Sequence, residues 1–237
     1  MSKSQGSISN FLVKGHLIRR WNAASSQDGL GGFMISGGDT FGGPDKTPTT
    51  TEVYRAGRWT YGPELPRAIW DHCQVLLGDT VYITLGQTHN STHAFKNKHS
   101  FKSKNGGYWI EVNSPAVLKD LGHTCAAHAG KMYVIGGFVG GELSSVEIFD
   151  PSSETWTFGP DLPIRTLENA QAFSWGGFLW VLGGSVHHGG EDPYPNNVIY
   201  RLDEKGWENA GSYINTNSKY LYTRIRGQIV DEDIISC

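Results

Sequence analysis

The nine histidines of the chain are the side chains best suited to metal or acid–base chemistry. His89 and His93 are four residues apart, which places two side chains on one face of a helix or a strand. No carboxylate or cysteine lies near them in sequence to complete a metal site. The pair therefore predicts no metal centre, and we expect no cofactor for this chain.

A second polar group lies in a Gly- and Pro-rich segment near residue 190. A metal site is one interpretation of this group, and a solvated polar loop that contacts a partner is the interpretation we favour. The group has two histidines and two carboxylates within six residues: His187, His188, Glu191 and Asp192. We predict these four residues as binding contacts.

A run of lysines between two apolar segments is interleaved with aromatic residues. Such a pattern suits an acidic partner or single-stranded nucleic acid, whereas a solvated hairpin that keeps a sheet edge from pairing is the alternative. The net charge of −3 favours the hairpin and predicts no nucleic-acid partner. Lys96 and Lys98 remain candidate contacts for a protein partner. The lysines are Lys96, Lys98, Lys102 and Lys104.

The three cysteines form no CxxC pair and no disulfide framework. Cys73 and Cys125 stand in apolar, strand-like segments, which predicts buried free thiols and a reducing, cytoplasmic location. The sequon Asn90-Ser91-Thr92 would be a glycosylation site if the chain were secreted, but a single sequon arises by chance too often to decide the location. No apolar run approaches the roughly 18 residues of a membrane span, and residues 1–19 lack a secretory apolar region. We therefore expect no membrane partner and a disordered lead-in over residues 1–19.

Motifs of catalysis are absent from the sequence. It contains no G-x-S-x-G, no Walker loop and no HExxH. His72 and His123 occupy similar positions in their segments, where they would either line a channel mouth or bond to nearby backbone. These observations predict that the chain is not an enzyme.

Two landmarks repeat along the chain with a period near fifty residues, the signature of a repeat architecture. The first is a glycine pair after an apolar run. The second is a single tryptophan. The glycine pairs are Gly37-Gly38, Gly86 with Gln87 in the second place, Gly136-Gly137 and Gly183-Gly184, and the tryptophans are Trp59, Trp109, Trp156 and Trp207.

Each repeat contains about four short alternating segments. A four-stranded sheet of that size has two apolar faces and must pack against copies of itself, as the blades of a β-propeller do. Paired glycines permit backbone angles and close approaches that other residues do not. The sequence thus predicts an all-β propeller with about four blades.

The order of glycine pair, Val146-Glu147-Ile148-Phe149-Asp150-Pro151, Trp156 and Pro163 resembles the kelch repeat. The resemblance covers residues 20 to 210 and implies blades at about 20–66, 67–117, 118–163 and 164–215, with a partial strand at 218–230. Kelch rings usually have five to seven blades, so the resemblance implies a fragment or shortened isoform of a larger ring. A complete four-bladed ring is the alternative.

The kelch resemblance implies a protein-interaction scaffold whose inter-strand loops contact a partner. A substrate-recognition propeller of a ubiquitin ligase is an alternative, although the residues before the first repeat are too few for a BTB domain. A propeller enzyme or a carbohydrate-binding protein is the third. If the ring is not closed, we expect the chain to self-associate.

Overall fold

The fold consists of four antiparallel sheets in chain order, each with four strands on its main path. A computed structural model describes residues 18, 20–40, 49–84, 86–87, 100–104, 107–114, 122–138, 143–164, 167–186 and 194–212. Within these residues every regular element is a strand. The all-β propeller predicted from the repeat is confirmed.

In each blade the first strand is innermost and the fourth lies at the outer edge. Blade 1 has β1 (Ala24–Gln27), β2 (Phe33–Ser36), β3 (Thr51–Arg55) and β4 (Arg58–Tyr61). Blade 2 has β5 (Cys73–Leu77), β6 (Thr80–Thr84), β7 (Ser100–Lys104) and β8 (Ile110–Val112). Blade 3 has β9 (Thr124–His128), β10 (Lys131–Ile135), β11 (Val146–Asp150) and β12 (Thr155–Phe158). Blade 4 has β13 (Glu168–Trp175), β14 (Phe178–Val186), β16 (Val198–Asp203) and β17 (Gly206–Ser212), with the short β15 (Tyr194–Pro195) paired to β14.

Turn residues with positive φ join the first two strands of blade 3. Ala129 (φ 48°) and Gly130 (φ 75°) form the two-residue connection between His128 and Lys131, which are paired across the hairpin. Two left-handed residues give a turn whose twist matches that of the flanking strands. Along β10, Met132 and Val134 face one neighbouring blade while Tyr133 and Ile135 face the other.

Three apolar clusters hold adjacent blades together. One joins blades 1 and 2 around Met34 and Phe101, a second joins blades 2 and 3 around Tyr82 and Phe149, and the third joins blades 3 and 4 around Leu179. The innermost strands pack in the order β1, β5, β9, β13. Among the described strands, no comparable contact joins β13 to β1, so the described blades form an open arc.

A tryptophan in each of three successive blades donates a hydrogen bond to the blade before it. The indole Nε1 of Trp109 donates to the Pro63 carbonyl at 3.1 Å, that of Trp156 to Asn113 at 2.8 Å, and that of Trp207 to Pro160 at 2.8 Å. Each acceptor follows the outer strand of its blade. The structure thus places these three residues at the same point of the repeat.

Trp59 of blade 1 lies at the corresponding place on its outer strand. It stands opposite Tyr54, as Trp156 stands opposite Phe149. The ring centroids are 5.2 Å apart in the first pair and 5.1 Å apart in the second.

The glycine of blade 2 occupies the second place of its pair, not the first. Trp21 pairs with Asp39 directly after Gly38, and Trp70 pairs with Gln87 directly after Gly86. Gly86 therefore corresponds to Gly38. The expectation that Gln87 replaces the second glycine is wrong, because Gln87 occupies the position that follows the pair.

A disulfide joins the innermost strands of blades 2 and 3. Cys73 begins β5 and Cys125 lies in β9, and their Cα atoms are 5.9 Å apart across 52 residues of sequence. The expectation of free thiols at these positions is therefore wrong. Sequence spacing hides the pair, because only the packing of one blade on the next brings the two strands together.

The outward face of blade 1 is less covered than the same face of blade 3. Ile35 lies opposite Glu52 as Val134 lies opposite Glu147, so the two positions correspond. Val134 is fully buried, whereas Ile35 is partly exposed. The partly exposed residues of this face are Phe33, Ile35 and Tyr54, and their buried counterparts are Met132, Val134 and Phe149.

Candidate functional site

The loops predicted to bind leave each blade at the end where the glycine pair lies. Successive strands of a blade run in opposite directions, so the connection from second to third strand and the segment entering the next blade lie at one end of the strands. The two-residue turns such as Ala129-Gly130 lie at the other end. We call the first end the loop face. Its described residues are 20–23, 37–40, 49–50, 69–72, 86–87, 122–123, 136–138, 143–145, 167–169, 183–186 and 194–197.

A chain of hydrogen bonds crosses the loop face from blade to blade. One residue at the start of each innermost strand, or two residues before it, has a left-handed backbone: Asn22 (φ 49°), Asp71 (φ 53°), Gly122 (φ 68°) and Asn169 (φ 56°). The Asp71 N–H donates to the Asn22 carbonyl at 2.8 Å, and the Asn169 N–H donates to the Gly122 carbonyl at 2.7 Å. Between them, the Gly122 N–H donates to Asp71 Oδ2 at 3.2 Å. These bonds fix the relative positions of the four blades where the loops begin.

Asparagine, aspartate and glycine tolerate a left-handed backbone better than other residues do. Their spacings of 49, 51 and 47 residues follow the repeat period. The series is hard to see in the sequence because the residue type varies from blade to blade. A search for Asn, Asp or Gly at the repeat period would have found it.

The glycine pairs lie where one blade meets the next. The Gly38 N–H donates to the Ile69 carbonyl of blade 2 at 2.8 Å, and the Gly137 N–H donates to Leu167 of blade 4 at 3.0 Å. A Cβ added to Gly136 would lie 2.4 Å from the Leu167 carbonyl oxygen. The structure thus gives a physical reason for glycine here: backbone of the next blade fills the space of a side chain.

The base of the first loop is tied by Arg20. Its guanidinium donates to the Gly37 carbonyl at 2.6 Å and to the Thr50 carbonyl at 3.0 Å, on opposite ends of the loop. It also lies 3.4 Å from the carboxylate of the fully buried Glu52. Burial lowers the pKa of Arg20 and the Glu52 charge opposes that shift, so the guanidinium stays charged at neutral pH.

The third and fourth loops are also held at their glycine pairs, but by other hydrogen bonds. In blade 3 the Gly136 N–H donates to the Ser145 carbonyl at 3.1 Å. In blade 4 the buried Asn196 donates from its backbone to Gly184 at 2.9 Å and from its side chain to Gly183 at 3.0 Å. Each of these loops therefore begins and ends at a fixed point of the scaffold.

Three large aromatic side chains lie exposed on the loop face. Trp21 is 51% exposed, Phe138 is 37% exposed and Tyr194 is 43% exposed. They belong to blades 1, 3 and 4, and each lies beside the base of a loop. Exposed aromatic side chains are typical of protein contact surfaces. These three residues could not be picked out from the sequence, because nothing in their local pattern distinguishes them from core aromatics.

His72 takes part in a buried polar network between blades 1 and 2. Its Nε2 lies 2.8 Å from Ser36 Oγ, and the Ser36 hydroxyl donates to Oε1 of Gln74. The Gln74 amide in turn donates to Ser26 Oγ at 2.9 Å. Since all four residues are buried, this network joins blades and does not present a nucleophile to a ligand. His123 is half-buried at the entrance to blade 3.

The lysine run is partly paired within the molecule. Lys102 forms an ion pair with Glu154 of blade 3, which raises the pKa of Lys102, and Lys104 lies 3.3 Å from Asp79. Both lysines belong to β7, and each pairs with a carboxylate in a turn. Lys96 and Lys98, like His187, His188, Glu191 and Asp192, lie outside the described residues.

A shallow groove of about 560 Å³ lies at the outer rim between blades 1 and 2. Two tyrosines border it, Tyr61 at 62% and Tyr108 at 79% exposure. Arg55 and Glu64 add one charge of each sign.

Within the described part of the chain, no group of His, Cys, Asp and Glu is arranged to hold a metal ion. No helix among those residues is long and apolar enough to cross a membrane.

Comparison with known proteins agrees with this architecture. A family model described as the Kelch motif matches residues 121–163, which span blade 3. The solved structure of YjhT superposes with a TM-score of 0.76, over 92% of this chain and 76% of that one, at 13% sequence identity. At that identity the likeness shows the fold alone.

Curated relatives divide between two kinds of protein. The N-acetylneuraminate epimerase of Pasteurella multocida is 31% identical over 58% of this chain and 36% of its own length. The human Kelch-like protein 35 is 32% identical over 56% of this chain and 22% of its own length. The chain thus spans well under half the length of either relative.

Proposed function

We propose that this chain, which has a propeller fold and a Kelch motif over blade 3, works as a protein-interaction module whose loop face binds a partner. The single observation that carries the proposal is the set of exposed aromatics Trp21, Phe138 and Tyr194 beside loop bases that the scaffold holds in place. A rigid scaffold that carries loops with free tips is a common way to build a recognition surface.

The anchoring of the loops supports binding with little loss of conformational freedom. Arg20, Ser145 and Asn196 fix the ends of three loops to glycine pairs or their neighbours. A partner that contacts such loops loses little conformational freedom at their ends, because the scaffold already holds those ends in place. The aromatics beside the bases add apolar contact area at low entropic cost.

The proposal is tested by removing the three aromatics together. We expect the Trp21→Ala, Phe138→Ala, Tyr194→Ala triple variant to lose at least tenfold in affinity for a partner captured by the wild-type chain. Trp175→Ala is the matched control, since Trp175 is 41% exposed but lies at a turn at the opposite end of blade 4.

Capture by the purified chain and mass spectrometry would identify the partner, and titration calorimetry would give the affinities. Equal loss in the triple variant and in the Trp175→Ala control would contradict binding at the loop face. Unchanged affinity in both would also contradict it.

A second candidate function is catalysis on a sugar, which the relatives named N-acetylneuraminate epimerase favour. It is tested by adding the purified chain to N-acetylneuraminate and following epimerisation by NMR. Under the interaction proposal the rate equals that of buffer alone. A rate that rises in proportion to protein concentration would establish the enzyme instead.

A further inference from the structure

We propose that Cys73 and Cys125 form a reversible thiol–disulfide couple that clasps blades 2 and 3, with Cys125 as the sulfur that exchanges with small thiols. The inference concerns the scaffold and does not depend on what the loop face binds. It starts from the position of the two residues on neighbouring innermost strands, 5.9 Å apart at Cα.

The two cysteine residues differ in exposure. Cys73 is 4% exposed, whereas Cys125 is partly exposed beside the apolar cluster of blades 2 and 3. Thiol–disulfide exchange needs an approach to the sulfur that is attacked, so a small thiol or disulfide reaches Cys125 first. Cys73 then lies in place as the resolving partner.

The chemistry balances with a low-molecular-weight disulfide, such as glutathione disulfide, as the oxidant. The Cys125 thiolate attacks the disulfide and releases one thiol, which leaves a mixed disulfide on Cys125. The Cys73 thiolate then attacks the Cys125 sulfur and releases the second thiol. Overall, two protein thiols lose two electrons and two protons, and the oxidant becomes two thiols. Reduction runs through the same steps in reverse.

The bond lies next to the hydrogen bond that joins blades 2 and 3 on the loop face. Asp71 precedes Cys73 by two residues and Gly122 precedes Cys125 by three, and the Gly122 N–H donates to the Asp71 carboxylate at 3.2 Å. The covalent link therefore holds this contact closed. When the disulfide is reduced, only noncovalent contacts oppose the separation of the two strands.

The order of exchange is tested in a Cys237→Ser background, which removes the third thiol. Reduced protein treated with glutathione disulfide should lose two hydrogens by intact mass and retain no adduct. Adding Cys73→Ser should trap one glutathione on Cys125. Adding Cys125→Ser should leave Cys73 at least about tenfold slower to modify, because it is shielded. Equal rates at the two sulfurs, or failure to lose two hydrogens, would overturn the proposal.

The expected stabilisation of the contact between blades 2 and 3 by the disulfide is tested on the unmutated chain in its oxidised and reduced states. A cross-link across 52 residues should raise the melting temperature of the oxidised form by on the order of 10 °C. Hydrogen exchange at the Gly122 amide should be faster in the reduced form, while the turn amide of Gly206 in blade 4 should be unchanged. Equal melting temperatures or equal exchange at Gly122 would overturn the clasp. This comparison needs no variant, so a folding defect in a serine variant cannot obscure it.

Discussion

Gly136 shows at the scale of one residue why the repeat carries its glycine pair. Its φ of +64° is costly for an L side chain, and the backbone of the next blade fills the space that a Cβ would need. The glycine pair in the sequence was enough to predict that a side chain would not fit at this position. It did not predict that Gly86 fills the second place, since blade 2 has one glycine and two registers fit it equally well.

A comparison of two alanine variants separates the backbone angle from the close approach. Gly136→Ala should lower the free energy of unfolding by about 3 kcal/mol or more. Gly130→Ala should cost only about 1 kcal/mol, because Gly130 has a φ of +75° but open space around it. Urea denaturation measures both, with the exposed Lys104→Ala as a near-neutral reference. Equal costs for the two glycines would show that packing between blades does not constrain Gly136.

Cys73 and Cys125 show the limit of sequence reasoning at this scale. Each residue matches a buried strand thiol, and nothing local distinguishes a free thiol from a bonded one. Their pairing depends on β5 lying against β9, a contact between repeats that spacing does not encode. The candidate contacts His187, His188, Glu191 and Asp192 remain a prediction, because they lie outside the described residues.

At the scale of the element, a buried carboxylate shapes the first hairpin. Asp28 follows β1 and accepts hydrogen bonds from the backbone of Leu30 at 2.8 Å and Gly32 at 2.9 Å, and it pairs with Arg55. Burial raises the pKa of this carboxyl, but the two backbone donors and Arg55 together lower it by a larger amount, so the net shift is downward. The charged form is therefore the one that the hairpin stabilises.

The lowered pKa of Asp28 gives a pH-dependent prediction. A carboxyl with a depressed pKa in the folded state stabilises the fold above its unfolded pKa, and this contribution is lost as pH falls below about 4. Asp28→Asn keeps the shape but removes the charge, so we expect a loss of about 1–3 kcal/mol at neutral pH. The difference from wild type should shrink in acid.

Asp79→Asn is the control for this measurement, because Asp79 also has a lowered pKa but lies on the surface. Chemical denaturation from pH 3 to pH 7 gives the comparison. A stability difference for Asp28→Asn that stays constant across this range would contradict a role for the charge.

At the scale of the molecule, four blades form an arc whose internal faces are matched by apolar clusters. Period and strand content were predictable because each blade repeats the same pattern of apolar strands, glycine and tryptophan. The chain of hydrogen bonds through Asn22, Asp71, Gly122 and Asn169 was not predictable, since the residue type changes from blade to blade while the left-handed backbone conformation stays the same. What repeats there is a conformation.

The open arc predicts that truncation to alanine at equivalent positions lowers the free energy of unfolding by different amounts in different blades. Val134→Ala should lower the free energy of unfolding by about 2 kcal/mol, because Val134 is fully buried between blades 2 and 3. Ile35→Ala should cost less even though it removes more atoms, because blade 1 leaves this side chain partly exposed. Thermal and urea unfolding measure both variants. A larger cost at Ile35 would mean that another surface covers this face, and light scattering would show whether a second copy does so.

Hydrogen exchange of the complex with the captured partner tests most directly whether the loop face is the binding surface. Bound chain should show slower exchange at the backbone amides near Trp21, Gly122, Phe138 and Tyr194, which lie at one end of the strands. Turn amides such as Gly130 and Gly177 at the other end should exchange as in the free chain. Protection confined to those turns or to the outer strands, with the loop face unchanged, would contradict the account.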